Sequence, residues 1–137
     1  MRVVLAAGCF DLFHVAHLRY LKHAAMLGDH LVVSVTKNDG VNKGPSRPII
    51  DEKERLEIVS TIINGLHPMA KAYLYDDGFD ALKDWKPDIF VKGHDWKMRG
   101  IPKHIKAYCR DNGIEIVYTK PNPVPTTGSI IKRIKRS

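Results

Sequence analysis

Apolar residues along the 137-residue chain gather into short runs, and helical spacing separates one run from the next. Val3-Val4-Leu5-Ala6-Ala7, Leu31-Val32-Val33-Ser34-Val35, Ala70 to Tyr75, Ile89-Phe90-Val91 and Ile114 to Tyr118 are strand-length runs. Val15 to Leu27 reads as a helix stopped by Gly28-Asp29. Asp51, with Glu54 three residues on, makes a D-x-x-E capping box for a second helix whose apolar face is Leu56, Val59, Ile62 and Ile63. Phe79, Leu82 and Trp85 mark a short amphipathic helix, residues 101–112 another, and Thr126 onward a last one. Thr36 to Ile50, with Gly40, Gly44, Pro45 and Pro48, is a loop. Strands alternating with helices predict parallel βαβ units, hence an α/β sandwich with right-handed crossovers, in a single domain over 1–137. Ligands of such sheets bind beyond the carboxyl ends of the strands.

The conspicuous polar stretches obey that rule. Gly8-Cys9-Phe10-Asp11-Leu12-Phe13-His14-Val15-Ala16-His17 follows the first strand. Asp39, Lys43 and Arg47 follow the second, Gly93-His94-Asp95-Trp96 the fourth, and Lys120 with Thr126-Thr127 the fifth. His14 and His17 lie on one side of a helix's first turn, where free N–H groups and the helix dipole favour phosphate. Two neutral imidazole donors there suit an anion that gains charge during a reaction. The formal net charge of +7 favours anionic partners such as nucleotides, phosphosugars or nucleic acid. No apolar run is long enough to span a membrane. Two widely spaced cysteines and a start that leads straight into a strand point to a reducing, cytoplasmic setting. Neither G-x-G-x-x-G after the first strand nor G-x-x-x-x-G-K-[ST] occurs, which disfavours dinucleotide oxidoreductases and P-loop NTPases.

The stretch Gly8 to His17 resembles the HxGH signature of the cytidylyltransferase-like nucleotidyltransferases, with Ala16 where that family carries glycine. Lys43-Gly44-Pro45-Ser46-Arg47-Pro48 and Lys86-Pro87-Asp88-Ile89-Phe90-Val91-Lys92-Gly93 are similar to runs in the adenylyltransferases that act on heptose 1-phosphate. Asp95-Trp96 looks more like glycerol-3-phosphate cytidylyltransferase. Thr126-Thr127-Gly128-Ser129-Ile130 resembles the closing I-S-T-T-K-I signature, with the motif lysine absent and Lys132 or Arg133 left to replace its charge. These matches run from Val3 to Ile134.

The resemblance implies a Rossmann-like three-layer sandwich of HxGH nucleotidyltransferase type, its five parallel strands in the order 3-2-1-4-5. It implies transfer of NMP from a nucleoside triphosphate to a sugar phosphate or polyol phosphate, with pyrophosphate released. ATP is the favoured donor and CTP the alternative. His14, His17 and Lys43 would be catalytic. Gly8, Cys9, Phe10, Gly93, Asp95, Lys120, Thr126 and Thr127 would join the histidines around the nucleotide. Asp11, Lys43, Arg55 and Trp96 would meet the acceptor. Mg²⁺ is expected on the triphosphate, held by phosphate and water rather than by a protein site. Many members are homodimers, though no feature of this sequence specifies one. Two other classes compete: a zinc site from Cys9, His14 and His17, and a nucleic-acid module using the basic tail Lys132, Arg133, Lys135 and Arg136. The tail carries no interleaved aromatics and reads as a solvated helix end.

Overall fold

A computed structural model describes residues 1–41, 43–121 and 127–136. In chain order the elements are β1 (Val3–Gly8), α1 (Val15–Ala25), β2 (His30–Thr36), a 3-10 turn (Asn38–Gly40), α2 (Glu52–Leu66) and β3 (Ala70–Tyr75). There follow α3 (Gly78–Trp85), β4 (Ile89–Lys92), α4 (Asp95–Arg99), α5 (Lys103–Asp111), β5 (Glu115–Tyr118) and α6 (Thr127–Arg136). The five strands form one parallel sheet in the order β3-β2-β1-β4-β5, as the resemblance implied.

Side-chain alternation along the strands separates two cores. Val4 and Ala6 of β1, Leu31, Val33 and Val35 of β2, and Ile89 and Val91 of β4 face Leu21 and Ala24 of α1 and Val59 and Ile63 of α2. Leu5, Val32 and Phe90 face the other way, onto Ala81 and Leu82 of α3 and Cys109 of α5. Both layers are needed because a sheet of parallel strands has no face to leave in water. Each fully buried Leu, Val or Ile contributes about 1.5–3 kcal/mol, which is what pins β1 at the centre.

Asp51 caps α2, accepting from Lys53 N at 3.0 Å, but the expected box with Glu54 is not formed, and it is Glu52 whose Oε1 accepts a preceding amide, Asn38 N at 2.8 Å. Gly40 has a packing reason: a Cβ there would overlap the backbone carbonyl of Asp76. The five-residue α4 was not foreseen, because one turn and a half carries too little periodicity to register. Thr126, expected to open the last helix, lies outside the described residues.

The order of the strands creates a crevice. Chain connections leave β1 toward β2 on one side, and β4 lies on the other, so ligands are expected between β1 and β4. Pairing of β1 with β2 continues to Gly8 and Val35, but pairing with β4 stops at Ala6 and Val91. At that fork the Tyr20 hydroxyl accepts from Ala7 N at 3.0 Å and donates to Val91 O at 2.6 Å. A side chain of α1 thus satisfies the backbone groups that the splayed strands release.

Candidate active site

The turn leaving β1 is held in an uncommon backbone conformation. Phe10 and Leu12 have φ of 56° and 50°, in the left-handed region that side chains with a Cβ rarely occupy. Phe10 is buried against the core, and Gly8 leaves room for its ring, which a Cβ would approach to 3.1 Å. Asp11, between the two, points its carboxylate inward. Its oxygens collect Arg47 Nε at 2.9 Å, Ile49 N at 2.9 Å and Ile50 N at 3.0 Å. Burial works to raise the Asp11 pKa, but the two backbone donors and Arg47 outweigh it and hold the carboxyl below its ordinary value. Asp11 therefore fastens the 43–50 loop beside the turn.

His14 is the N-cap of α1 and His17 its third residue, and the two cap each other. His14 Nδ1 accepts from Ala16 N at 3.2 Å, while His17 Nδ1 accepts from His14 N at 3.3 Å, a reciprocal capping box built from imidazoles. Their rings stack with centroids 3.9 Å apart. This narrows the expectation that the helix start offers free amides: those of His14 and Ala16 are spent on Nδ1 atoms. The same bonds fix the chemistry of the rings. A ring nitrogen that accepts from an amide carries no proton, so both neutral rings hold theirs on Nε2. His14 Nε2 meets Thr127 Oγ1 at 2.9 Å, and the Thr127 hydroxyl donates to Asp11 O at 3.0 Å. The N-terminus of α6 is thereby tied to the β1 turn across the crevice.

Burial lowers the His17 pKa to about 3, helped by the charges of His14 and Lys43 and opposed by Asp11; burial also lowers that of His14. Lys43 itself is exposed on the loop that follows β2. Since the unfolded chain protonates His17 near 6.5 and the folded chain only near 3, the unfolded state binds more protons between those values. The His17 contribution to stability is therefore constant above pH 6.5 and falls as pH drops below it, by up to about 1.4 kcal/mol per pH unit. Urea unfolding at pH 7 and pH 5 is expected to show a loss of about 2 kcal/mol from His17 in the wild type, with His14 adding in the same direction. His17→Gln, which does not titrate, should lose clearly less. Asp11 does not enter this window, because its lowered pKa places its loss at more acid pH.

Four expected site residues have protein partners of their own. Arg55 is fully buried: its Nη1 donates to Cys9 O and Thr36 O at 2.7 Å each, Nε to Ile50 O at 2.8 Å, and Nη2 to Asn38 Oδ1 at 2.9 Å. It is neither an acceptor-phosphate ligand in this arrangement nor a surface partner of Asp51 or Glu52. Cys9 turns its sulfur to Arg55 Nη1 at 3.8 Å, away from a shared site with the histidines, whose Nδ1 atoms face amides. Among the described residues no three His, Cys, Asp or Glu converge as metal ligands. Gly93 gives room to the Asp95 carboxylate, whose oxygen would lie 2.8 Å from a Cβ at that position. The Trp96 ring, expected to meet the acceptor, is engaged by Lys92 Nζ at 4.1 Å and Arg99 Cζ at 4.5 Å from its centroid. Burial, with Arg99 nearby, lowers the Lys92 pKa to about 8, and Asp95 opposes the shift. Lys120 is exposed beyond β5.

Sequence reasoning gave no role to Tyr20 and left Arg47 without one. Tyr20 was readable, since it sits three residues after His17 on the same helix face. Arg47 was marked by its place after β2 and in the Lys43 to Pro48 run, which do not say what its side chain meets.

Polarised imidazole donors at a helix start, beside the fork of a five-stranded parallel sheet, define an enzyme that handles the phosphates of a nucleotide. The chain belongs to the cytidylyltransferase-like family, whose model matches residues 5–134, and it is a nucleotidyltransferase. It is 33% identical to the FAD synthase of Methanosarcina barkeri over 98% of this chain and 96% of that one. It is 35% identical to the bifunctional protein HldE of Citrifermentans bemidjiense over 85% of this chain, which spans 24% of that longer protein. The crystal structure of a lipopolysaccharide core biosynthesis protein from Thermoplasma volcanium superimposes with a TM-score of 0.70, at 31% identity, over 89% of this chain and 98% of that one. No helix among the described residues is long and apolar enough to cross a membrane.

Proposed function

We propose that this enzyme transfers AMP from ATP to a phosphate monoester carried on a sugar or polyol, releasing pyrophosphate. The observation that carries this reading is the stacked pair of neutral, Nε2-protonated imidazoles at the start of α1, with His14 Nε2 turned to Thr127 at the start of α6. A phosphate monoester is already nucleophilic near neutral pH, so no protein nucleophile is required. Its oxygen attacks the α-phosphorus in line; the new P–O bond forms as the bond to the β-phosphate bridging oxygen breaks, and the electron pair leaves with pyrophosphate. Catalysis then rests on positioning and on charge stabilisation. His14 and His17 donate through Nε2 to the α- and β-phosphate oxygens, with His14 exchanging Thr127 for the nucleotide. Lys43 spans the reacting phosphates. Thr127 and the positive end of α6 receive the departing pyrophosphate. Mg²⁺ arrives as part of the triphosphate substrate.

ATP is favoured because both kinds of relative point to it. FAD is a flavin polyol phosphate joined to AMP, and the resemblance to heptose adenylyltransferases concerns the same transfer to a sugar phosphate. Thermal unfolding with Mg²⁺ and ATP, CTP, GTP or UTP tests the donor. At 100 times its Kd the donor should stabilise the protein by about 2.7 kcal/mol, a rise of several degrees in Tm. A selective rise with ATP is expected; a selective rise with CTP replaces the donor. Pyrophosphate release with riboflavin 5′-phosphate and with sugar 1-phosphates then separates the acceptors.

A further inference from the structure

Asp11 and Arg47 form a buried pair whose geometry is incomplete. A guanidinium beside a carboxylate commonly uses two nitrogens on two oxygens. Here Asp11 Oδ2 takes Arg47 Nε, but Oδ1 is drawn away by Ile50 N. Among the described residues Arg47 Nη2 has no hydrogen-bond partner, although it is buried on a side chain that is 12% exposed. A charged donor in that state is costly to leave unfilled, and such groups mark sites that something else completes.

The placement of the pair says what completes it. Asp11 lies three residues before His14, and its carbonyl receives the Thr127 hydroxyl that also meets His14 Nε2. Arg47 Nε is bonded to Asp11 at 2.9 Å, and two further hydrogen bonds, from the Thr127 hydroxyl to Asp11 O and between Thr127 Oγ1 and His14 Nε2, connect that residue to the histidine pair. The cation of Arg47 therefore lies beside the turn that carries His14. The nucleotidyl-transfer reading needs a group for the acceptor's phosphate, and Arg55, the residue the resemblance suggested, is spent on four neutral acceptors inside the protein. We infer that Arg47 holds the phosphate of the acceptor, with Nε anchored on Asp11 and Nη2 donating to a phosphate oxygen. This assignment rests on the nucleotidyl-transfer reading. Arginine suits the task because its planar fork can keep one nitrogen tethered while the next meets an oxyanion, which a lysine point charge does not do. Gly44, at φ 99° with open space where a Cβ would lie, and the exposed run Lys43–Ser46 give the loop freedom to admit the phosphate.

The test is a titration of inorganic phosphate followed by thermal unfolding of the wild type, Arg47→Gln and Arg47→Lys, with and without saturating Mg²⁺ and ATP. In Arg47→Gln the apparent Kd for phosphate should rise about ten- to a hundredfold, while the shift produced by ATP persists. Arg47→Lys, which can keep an ion pair with Asp11 if the glutamine variant does not fold, should recover only part of the affinity. Phosphate binding within twofold of wild type in both variants overturns the assignment. So does a parallel loss of phosphate and ATP affinity, which is what a mere loop brace would produce. If no nucleotide stabilises the wild type and none yields pyrophosphate, nucleotidyl transfer has failed. The titration without nucleotide still reports on the anion site.

Discussion

His17→Ala is expected to lower kcat about 10²–10³-fold while nucleotide affinity changes by only a few-fold. The imidazole is held before substrate arrives: Nδ1 is occupied by His14 N, the ring packs edge-on to Phe10 at 5.4 Å between centroids, and burial keeps it neutral. A donor that needs no reorientation is most effective where charge appears during the reaction, at the phosphates that separate. The ground-state triphosphate still has Lys43, Thr127 and the α6 terminus, so binding should survive. The same substitution removes one half of the capping box, which costs about 1 kcal/mol of stability and leaves a folded protein for the assay. Steady-state pyrophosphate release, with kcat and KM separated, measures the effect. Turnover equal to wild type would remove His17 from the mechanism, and a large rise in KM at constant kcat would make it a binding residue only.

What could be read in the chain depended on whether a residue's neighbours were local or distant. The strands were legible because their runs are short and rich in apolar residues, broken by at most one polar or charged residue, and the bounds of β3 agree with the expected Ala70 to Tyr75. The histidine pair was legible because its function is tied to one short turn. Strand order was not written in any periodicity and came from resemblance alone. The reciprocal cap needed coordinates, because imidazole is a poor match to the Ser/Thr and Glu/Gln pattern that usually announces a capping box. The burial of Asp11 was hidden for a different reason: its partners Arg47, Ile49 and Ile50 are more than 35 residues away, and only the folded loop brings them in. Arg55 had a local signal that was outvoted by its charge. It sits four residues before Val59 and eight before Ile63, both fully buried, so it lies on the inward line of α2. Charged residues are so seldom fully buried that spacing alone did not prevail.

That inward position makes Arg55→Met the substitution with the largest expected cost to stability, about 3–5 kcal/mol. The methionine fills much of the same volume, so cavity formation is not the main term. The loss comes from the acceptors left behind: the carbonyls of Cys9, Thr36 and Ile50 and the side-chain oxygen of Asn38. Cys9 O and Thr36 O lie at the carboxyl ends of β1 and β2, and Ile50 O just before α2. One guanidinium thus ties two strand ends to the start of a helix, at the edge of the catalytic crevice. In a chain of 137 residues the expected loss corresponds to a Tm lower by roughly 10–20 °C. Arg55→Lys should recover little, since three donors on one atom cannot reach acceptors spread around a planar fork. The alternative, that Arg55 meets the acceptor phosphate directly, predicts the opposite division: a Tm within about two degrees of wild type and a KM defect confined to the acceptor. Calorimetry on the two variants beside the wild type decides between a clasp and a ligand, and a clasp would explain why the phosphate contact falls to another arginine on the neighbouring loop.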